Sequence, residues 1–207
     1  MNQNNDATDH YFSGAPKSEE RLGLVRTCLC GRNFEFLTAS SVFSKRRIDL
    51  GTRLLIESML LPKEGCVLDI GCGYGAVGIV AASVNSKLHV VMTDVNIRAV
   101  RLARRNMELN RIANADVRHG KFYEPVKNQE FNSVLSNPPV SAGMETVKAM
   151  VKGAPCVLAE GGTFQMVIRS KIGSKTLPAA FEDTFGNVKI LARGSGFRVL
   201  FGQCNLG

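Results

Sequence analysis

The sequence predicts an α/β fold, a doubly wound and mostly parallel seven-stranded sheet carrying a small N-terminal extension. Three observations predict it. From Cys66 onward, short apolar runs alternate with helical segments, the texture of parallel strands buried on both faces. A glycine-rich turn follows the first of these runs, and an Asn-Pro-Pro follows the fourth. Both stand at strand ends, where a doubly wound sheet opens its ligand crevice.

Taken in order, Met1 to Asp9 is polar, rich in Asn and Asp, and reads as disordered, with residues 1–17 as a tail. Residues 18–60 read as an extension packed on the core, and 61–207 as the main domain. Ser18 with Glu19 and Glu20 resembles a helix start, and Leu22, Val25 and Leu29 recur at helical spacing up to Gly31, predicting a short helix. Asn33 to Thr38 alternates as a strand, and Ser40-Ser41 turns toward Val42-Phe43. Core strands are predicted at Cys66 to Ile70, Leu88 to Met92, Ala115 to Val117, Val134-Leu135, Phe164 to Ile168, Val188 to Leu191 and Phe197 to Phe201. Helices are predicted at Ala76 to Ser83, Ile97 to Leu109, Glu145 to Leu158 and Lys175 to Phe185.

Composition narrows the function classes. The 207 residues are 44% hydrophobic and 21% charged, a globular balance that excludes a disordered tail protein. Twenty-six Lys and Arg against 18 Asp and Glu leave a charge of +8, which favours an anionic partner such as nucleic acid. No apolar run approaches the ~18 residues of a membrane span and the start lacks a signal-peptide core, so a cytoplasmic protein is expected. The six cysteines are scattered and read as free thiols. Cys28 and Cys30 form a C-x-C, but no second ligand pair stands at zinc-site spacing and His10, His89 and His119 are isolated, so no metal is expected.

The chemistry gathers at two strand ends. Val67 to Ile70 runs into Gly71-Cys72-Gly73-Tyr74-Gly75 and then a helix. Glycines let the backbone turn sharply and a ligand approach closely, while the helix start offers free N–H groups. Asp69, two residues before the first glycine, can pair with a cationic amine on the ligand, which a dinucleotide does not require. Asp94, 21 residues beyond Gly73, can grip both ribose hydroxyls. The bland alternative is a tight turn with two helix-capping aspartates. At the other end, Asn137-Pro138-Pro139 fixes the backbone and offers carbonyl acceptors without N–H donors, which suits a planar exocyclic amine. Positioning and dipoles then supply the catalysis, and no strong base is needed. The bland alternative there is a strand end and turn.

With these residues in view, the sequence resembles the class I S-adenosylmethionine-dependent methyltransferases, Rossmann-like in fold, and within them the methyltransferase-small family of ribosomal RNA guanine-N2 methyltransferases, in particular its archaeal single-domain members. The likeness runs through His10-Tyr11-Phe12-Ser13, Val42-Phe43-Ser44, Ile48 to Thr52, Asp69 to Gly75, Asp94, Asn137 to Pro139 and Gly196 to Leu200. It implies S-adenosylmethionine as cofactor, held by Asp69, Gly71, Cys72, Gly73, Gly75, Asp94, Val95, Phe122 and Asn137. It implies Asn137, Pro138 and Pro139 as the catalytic segment. Phe43, Lys45, Arg46, Asp49, Thr52, Val140, Arg169 and Phe197 are the implied substrate contacts. Asp49 to Thr52 equally fits a helix cap.

The sequence departs from the family at two places. Lys121 stands where an acidic residue often meets the adenine amine, leaving adenine to backbone groups and Phe122. Val140 stands where an aromatic often stacks on the target base, leaving stacking to Phe43, Phe122 or Phe197. Ribosomal RNA is the expected partner and the chain is expected to be a monomer. Lys45-Arg46-Arg47, Arg169 and Lys171 are the phosphate-contact candidates, and the arginines at 98, 101, 104 and 105 are read mainly as a solvated helix face. The alternatives are a tRNA guanine, adenine N6 or a protein glutamine amide as target, a non-catalytic RNA-binding module, and a nicotinamide-dependent dehydrogenase.

Overall fold

The computed structural model describes residues 22–39, 47–139, 143–173 and 175–204. The expected tail, Ser18 to Arg21, the His10 to Ser13 match and the Ser40 to Phe43 turn lie outside them, as do the site candidates Phe43, Lys45, Arg46 and Val140.

The chain opens with a hairpin of β1 (Leu22–Leu29) and β2 (Arg32–Ala39), paired antiparallel from Leu22 opposite Ala39 to Leu29 opposite Arg32. The helix expected over Leu22 to Gly31 is therefore a strand. Cys30 and Gly31 both have positive φ, as a two-residue hairpin turn demands. Val25 and Leu29 point into the core while Leu22 and Leu24 face solvent, a two-residue period that the 22-25-29 spacing concealed.

After α1 (Leu50–Ser58) come β3 (Gly65–Ile70), α2 (Ala76–Val84), β4 (Leu88–Asp94), α3 (Ile97–Leu109), β5 (Ala115–His119), β6 (Phe131–Ser136), α4 (Met144–Gly153), β7 (Leu158–Arg169), α5 (Thr176–Phe185), β8 (Lys189–Gly194) and β9 (Phe197–Gln203). The helix expected from Glu145 to Leu158 ends at Gly153; a short 3₁₀ turn containing Pro155 follows, and Leu158 already belongs to β7. The order across the seven-stranded sheet is β5-β4-β3-β6-β7-β9-β8, with β9 antiparallel to both β7 and β8 and the rest parallel. The strand order reverses between β3 and β6, which places a crevice at their carboxyl ends.

Successive side chains of each central strand serve opposite layers. Val67 and Val90 face a cluster with α1, α2, α3 and the hairpin, whereas Leu68, Ile70 and Val91 face α4 and α5. On the second face Phe164, Phe181 and Phe185 pack with ring centroids 5.5 to 6.1 Å apart. No described helix is long and apolar enough to cross a membrane. The six cysteines are free thiols.

One side of β2 is closed by side chains instead of a further strand. Asn106 and Asn110, one turn apart on α3, meet Leu37 and Glu35. Asn106 Oδ1 accepts from Leu37 N at 2.7 Å and its Nδ2 donates to Leu37 O at 2.9 Å; Asn110 does the same for Glu35 at 3.1 and 2.7 Å. Two amides thus reproduce the donor and acceptor pattern of a neighbouring strand. The second Nδ2 hydrogen of Asn106 goes to Tyr74 O at 2.9 Å, linking the hairpin to the glycine-rich turn.

Candidate active site

The carboxyl ends of β3, β4, β5 and β6 frame one cleft. At the end of β3, Gly71, Gly73 and Gly75 have φ of +71°, +58° and +90°, which residues with a Cβ adopt only at a cost. Gly71 N and Cys72 N both donate to Thr93 O, at 2.8 and 3.0 Å, drawing the turn over the end of β4.

The two acidic residues hold this turn in place. Asp94 Oδ2 accepts from Gly73 N at 2.9 Å and Oδ1 from Asn96 N at 2.8 Å. Asp69 Oδ2 accepts from Gly78 N at 2.9 Å, one of the amides that the first turn of α2 leaves without an intrahelical partner. The capping use leaves acceptor capacity over for a ligand, because an ionised carboxylate offers about four lone-pair directions. Asp69 is 1% exposed and Asp94 2%. Burial, opposed by the Gly78 hydrogen bond and reinforced by the charge of Asp94, pushes the Asp69 carboxyl up to about 7. Burial beside the same two carboxylates raises the Cys72 thiol well above its ordinary value, which favours the protonated thiol over the thiolate.

Two adjoining hollows share Gly71. The larger, about 640 Å³, is lined by Thr93, Asp94, Val95, Gly120, Lys121, Phe122 and Pro139 together with the α4 face of Glu145, Thr146, Ala149 and Met150. The smaller is lined by Asp69, Gly71, Cys72, Gly73, Tyr74, Thr52 and Asn137. The first has room for a nucleoside, whereas the second is a narrow cleft of about 20 Å³. His119 Nε2 lies 2.9 Å from Val95 O, joining the ends of β4 and β5, and the Lys121 ammonium lies 5.5 Å from the centre of the Phe122 ring. Both neighbours of the predicted adenine position thus line the cleft.

Asn137 follows β6 directly, and Ser136 Oγ donates to Ile70 O at 3.1 Å, fixing the end of β6 against that of β3. Asn137 Nδ2 donates to Thr52 Oγ1 at 2.8 Å. Thr52 stands in the first turn of α1, whose N-cap is Asp49; the Asp49 carboxylate accepts from Gly51 N and Thr52 N, each at 3.0 Å, and from the Thr52 hydroxyl. The helix-cap use of Asp49 is therefore present, and it brings Thr52 to Asn137.

Phe197 opens β9 opposite Arg169, the last residue of β7, and the Arg169 guanidinium lies 5.1 Å from the centre of its ring. A Cβ on Gly51 would come within 2.9 Å of that ring, so the glycine lets Phe197 lie against the start of α1. Arg169, Phe197, Asp49 and Thr52 therefore flank one side of the mouth, with exposed Arg47 just before Asp49. Arg104, by contrast, spends its guanidinium on Val117 O at 2.7 Å. Among the described residues no group of three or more His, Cys, Asp or Glu is placed to hold a metal.

Tyr74 and the α4 face were not singled out as site residues. Tyr74 sits inside the glycine motif, its ring edge-on to Phe36 at 5.7 Å, with burial and the Asp49 charge raising its phenol well above the ordinary range. Thr146, Ala149 and Met150 carry no motif, and only the sheet topology could have found them.

A seven-stranded sheet with one antiparallel strand inserted beside its parallel core, a glycine turn after the first core strand and an acidic residue after the second define a class I methyltransferase that uses S-adenosylmethionine. The chain belongs to the methyltransferase small domain family, which matches residues 33–201. It is 34% identical over 195 residues to the uncharacterized protein YbxB of Bacillus subtilis, covering 93% of this chain and 97% of that protein. It is 29% identical over 166 residues to the ribosomal RNA small subunit methyltransferase C of Erwinia tasmaniensis, covering 78% of this chain but 47% of that relative. The chain thus spans about half the length of that relative. Among solved structures, the 16S rRNA N2-guanine methyltransferase of T. thermophilus in complex with AdoMet and guanosine superposes with a TM-score of 0.79 at 25% identity, covering 92% of this chain and 52% of that one.

Proposed function

We propose that the protein methylates the N2 amine of a guanine in ribosomal RNA. The observation that carries this reading is Asn137-Pro138-Pro139 at the end of β6, beside Gly71 and tied to Thr52. S-adenosylmethionine supplies an electrophilic methyl group on a sulfonium. Asp69 meets the ammonium of its methionine part, Asp94 the ribose hydroxyls, and Val95, Phe122 and the Gly120 backbone the adenine. Asn137 Oδ1 and the backbone carbonyl of Pro138 accept the two hydrogens of the target amine and turn its lone pair toward the methyl group. When bound, the cofactor would supply the methyl group, its S–C bond breaking as the N–C bond forms, and the surplus proton of the amine would pass to water. Half-buried acceptors aimed at the charge growing on the amine stabilise that transition state without a base.

A base stacked within a helix cannot reach this cleft, so the target is looped out or flipped. Arg169, Arg47 and the preceding Lys45 and Arg46 then meet the flanking phosphates, while Phe197 offers an aromatic wall.

Transfer of labelled methyl from S-adenosylmethionine to unmodified ribosomal RNA and to small-subunit particles, followed by digestion to nucleosides, tests the proposal. Labelled N2-methylguanosine is expected. A labelled tRNA guanosine, N6-methyladenosine or protein glutamine in its place would overturn the substrate assignment.

A further inference from the structure

Asn137 is useful only if its oxygen, and not its NH2, faces the target amine, and an amide can be turned either way. We propose that Asp49 and Thr52 are positioning residues that fix this orientation, an inference that rests on the catalytic reading of Asn137.

The argument follows the protons. Asp49 Oδ1 takes the Gly51 and Thr52 amides, and Oδ2 faces the Thr52 hydroxyl. An ionised carboxylate can only accept, so the hydroxyl must give its single proton to Asp49. Its oxygen is then an acceptor toward Asn137, and the atom bonded to it at 2.8 Å must be Nδ2. The carbonyl oxygen of Asn137 is thereby turned away from α1. Thr52 is 6% exposed, so water competes poorly for these bonds. The chain also carries negative charge toward the reaction: a hydroxyl that donates to a carboxylate is a stronger acceptor, and an amide whose N–H is drawn to it has a more electron-rich oxygen. That oxygen meets the amine as the amine becomes cationic.

Two substitutions separate this role from helix capping. Asp49→Asn keeps an N-cap of equal rank. Its one oxygen must still serve the Gly51 and Thr52 amides, so its NH2 meets the Thr52 hydroxyl. The hydroxyl then donates to Asn137, whose amide turns and presents NH2 to the target NH2. Thr52→Val removes the link at nearly constant volume, and Thr52→Ser restores it.

In the methyl-transfer assay on unmodified ribosomal RNA, Asp49→Asn and Thr52→Val are expected to lower kcat about 30- to 100-fold. Calorimetric affinity for S-adenosylmethionine stays within about threefold and Tm within about 3 °C of the parent, and Thr52→Ser recovers at least about a third of kcat, as expected for loss of an interaction made only in the transition state. Thr52→Val in an Asn137→Ala background adds nothing further, because residues acting as one unit are not additive.

If Asn137→Ala abolishes transfer while Asp49→Asn keeps full kcat, the relay is wrong and the site reading stands; if Asn137→Ala keeps full kcat, both fall. A second readout needs no substrate and no folded Val variant. The two Asn137 side-chain NH2 proton resonances are expected to be widely split in the parent and in Thr52→Ser and to move together in Asp49→Asn. An Asp49→Asn spectrum unchanged at Asn137 would overturn the relay.

Discussion

Affinity for S-adenosylmethionine should depend on pH through Asp69. In the free protein its carboxyl is pushed up to about 7, chiefly by burial and further by Asp94. A cofactor ammonium placed against it favours the ionised form, so binding below pH 7 must first remove a proton. At pH 5.5, about 1.5 units below that value, only ~3% of the carboxyl is ionised, so affinity should be roughly 30-fold below its plateau, about 2 kcal/mol. Above about 7.8 the ligand's own α-amino group loses its proton and affinity declines again. Isothermal titration from pH 5.5 to 8.5 should therefore trace a bell with its maximum near neutrality, and Asp69→Asn should flatten it, because the ion pair behind both limbs is gone. Stability of the free protein carries the opposite sign to an ordinary ion-paired aspartate. The folded-state value lies above the unfolded 3.8, so the contribution of this group is complete below about 3.8 and is lost as pH rises toward 7. The cofactor should offset that loss, giving a thermal shift that grows between pH 5.5 and 7.5. Affinity in the parent protein that stays flat from pH 5.5 to 7 would refute the pairing.

Asn137→Ala should cut kcat about 100-fold with little change in cofactor affinity, whereas Asp94→Ala should weaken the cofactor in calorimetry by tenfold or more, about 1.4 kcal/mol or above. Equal loss of cofactor binding in both would contradict these roles. Gly75→Ala forces a Cβ into a φ of +90°, 3.1 Å from Ala103 Cβ and Ile79 Cδ1, and should lower Tm in calorimetry. The cost is about 2 kcal/mol, roughly 4–8 °C for a chain of this size. Neutralising Lys45, Arg46 and Arg47 together should weaken RNA binding and flatten its salt slope by up to about 3 in filter-binding titrations; an unchanged steep slope would remove that cluster from the interface.

Much of the sheet was legible because its strands centre on short apolar runs, as in Val67-Leu68 and Val90-Val91. The first strand of the hairpin was not, because Thr27 breaks the inward alternation of Val25 and Leu29 and leaves an accidental helical count, whereas its partner was expected over Asn33 to Thr38. Asp69, Gly71, Gly73, Asp94 and Asn137 lie together in the cleft, since each stands at or just past the carboxyl end of a parallel strand and such strands end on one side. Long-range polar partners were illegible: Asn106 meets Leu37 across 69 positions and Asn137 meets Thr52 across 85, and no local pattern encodes either. The arginines of α3 read as a solvated face, and the carbonyl of β5 that takes the Arg104 guanidinium lies outside any local pattern.

The paired asparagines of α3 also bear on how the molecule can be cut and recombined. Removing everything before residue 61 would strip Asn106 of its two bonds to Leu37 and uncover an amide that is fully buried in the whole chain, with Tyr74 O as its remaining backbone companion. A fragment drawn around the glycine turn would thus open a wet, polar flank directly behind that turn. Grafting this cleft onto another scaffold means carrying the hairpin along, or replacing Asn106 with an apolar residue and packing something new where Leu37 lay.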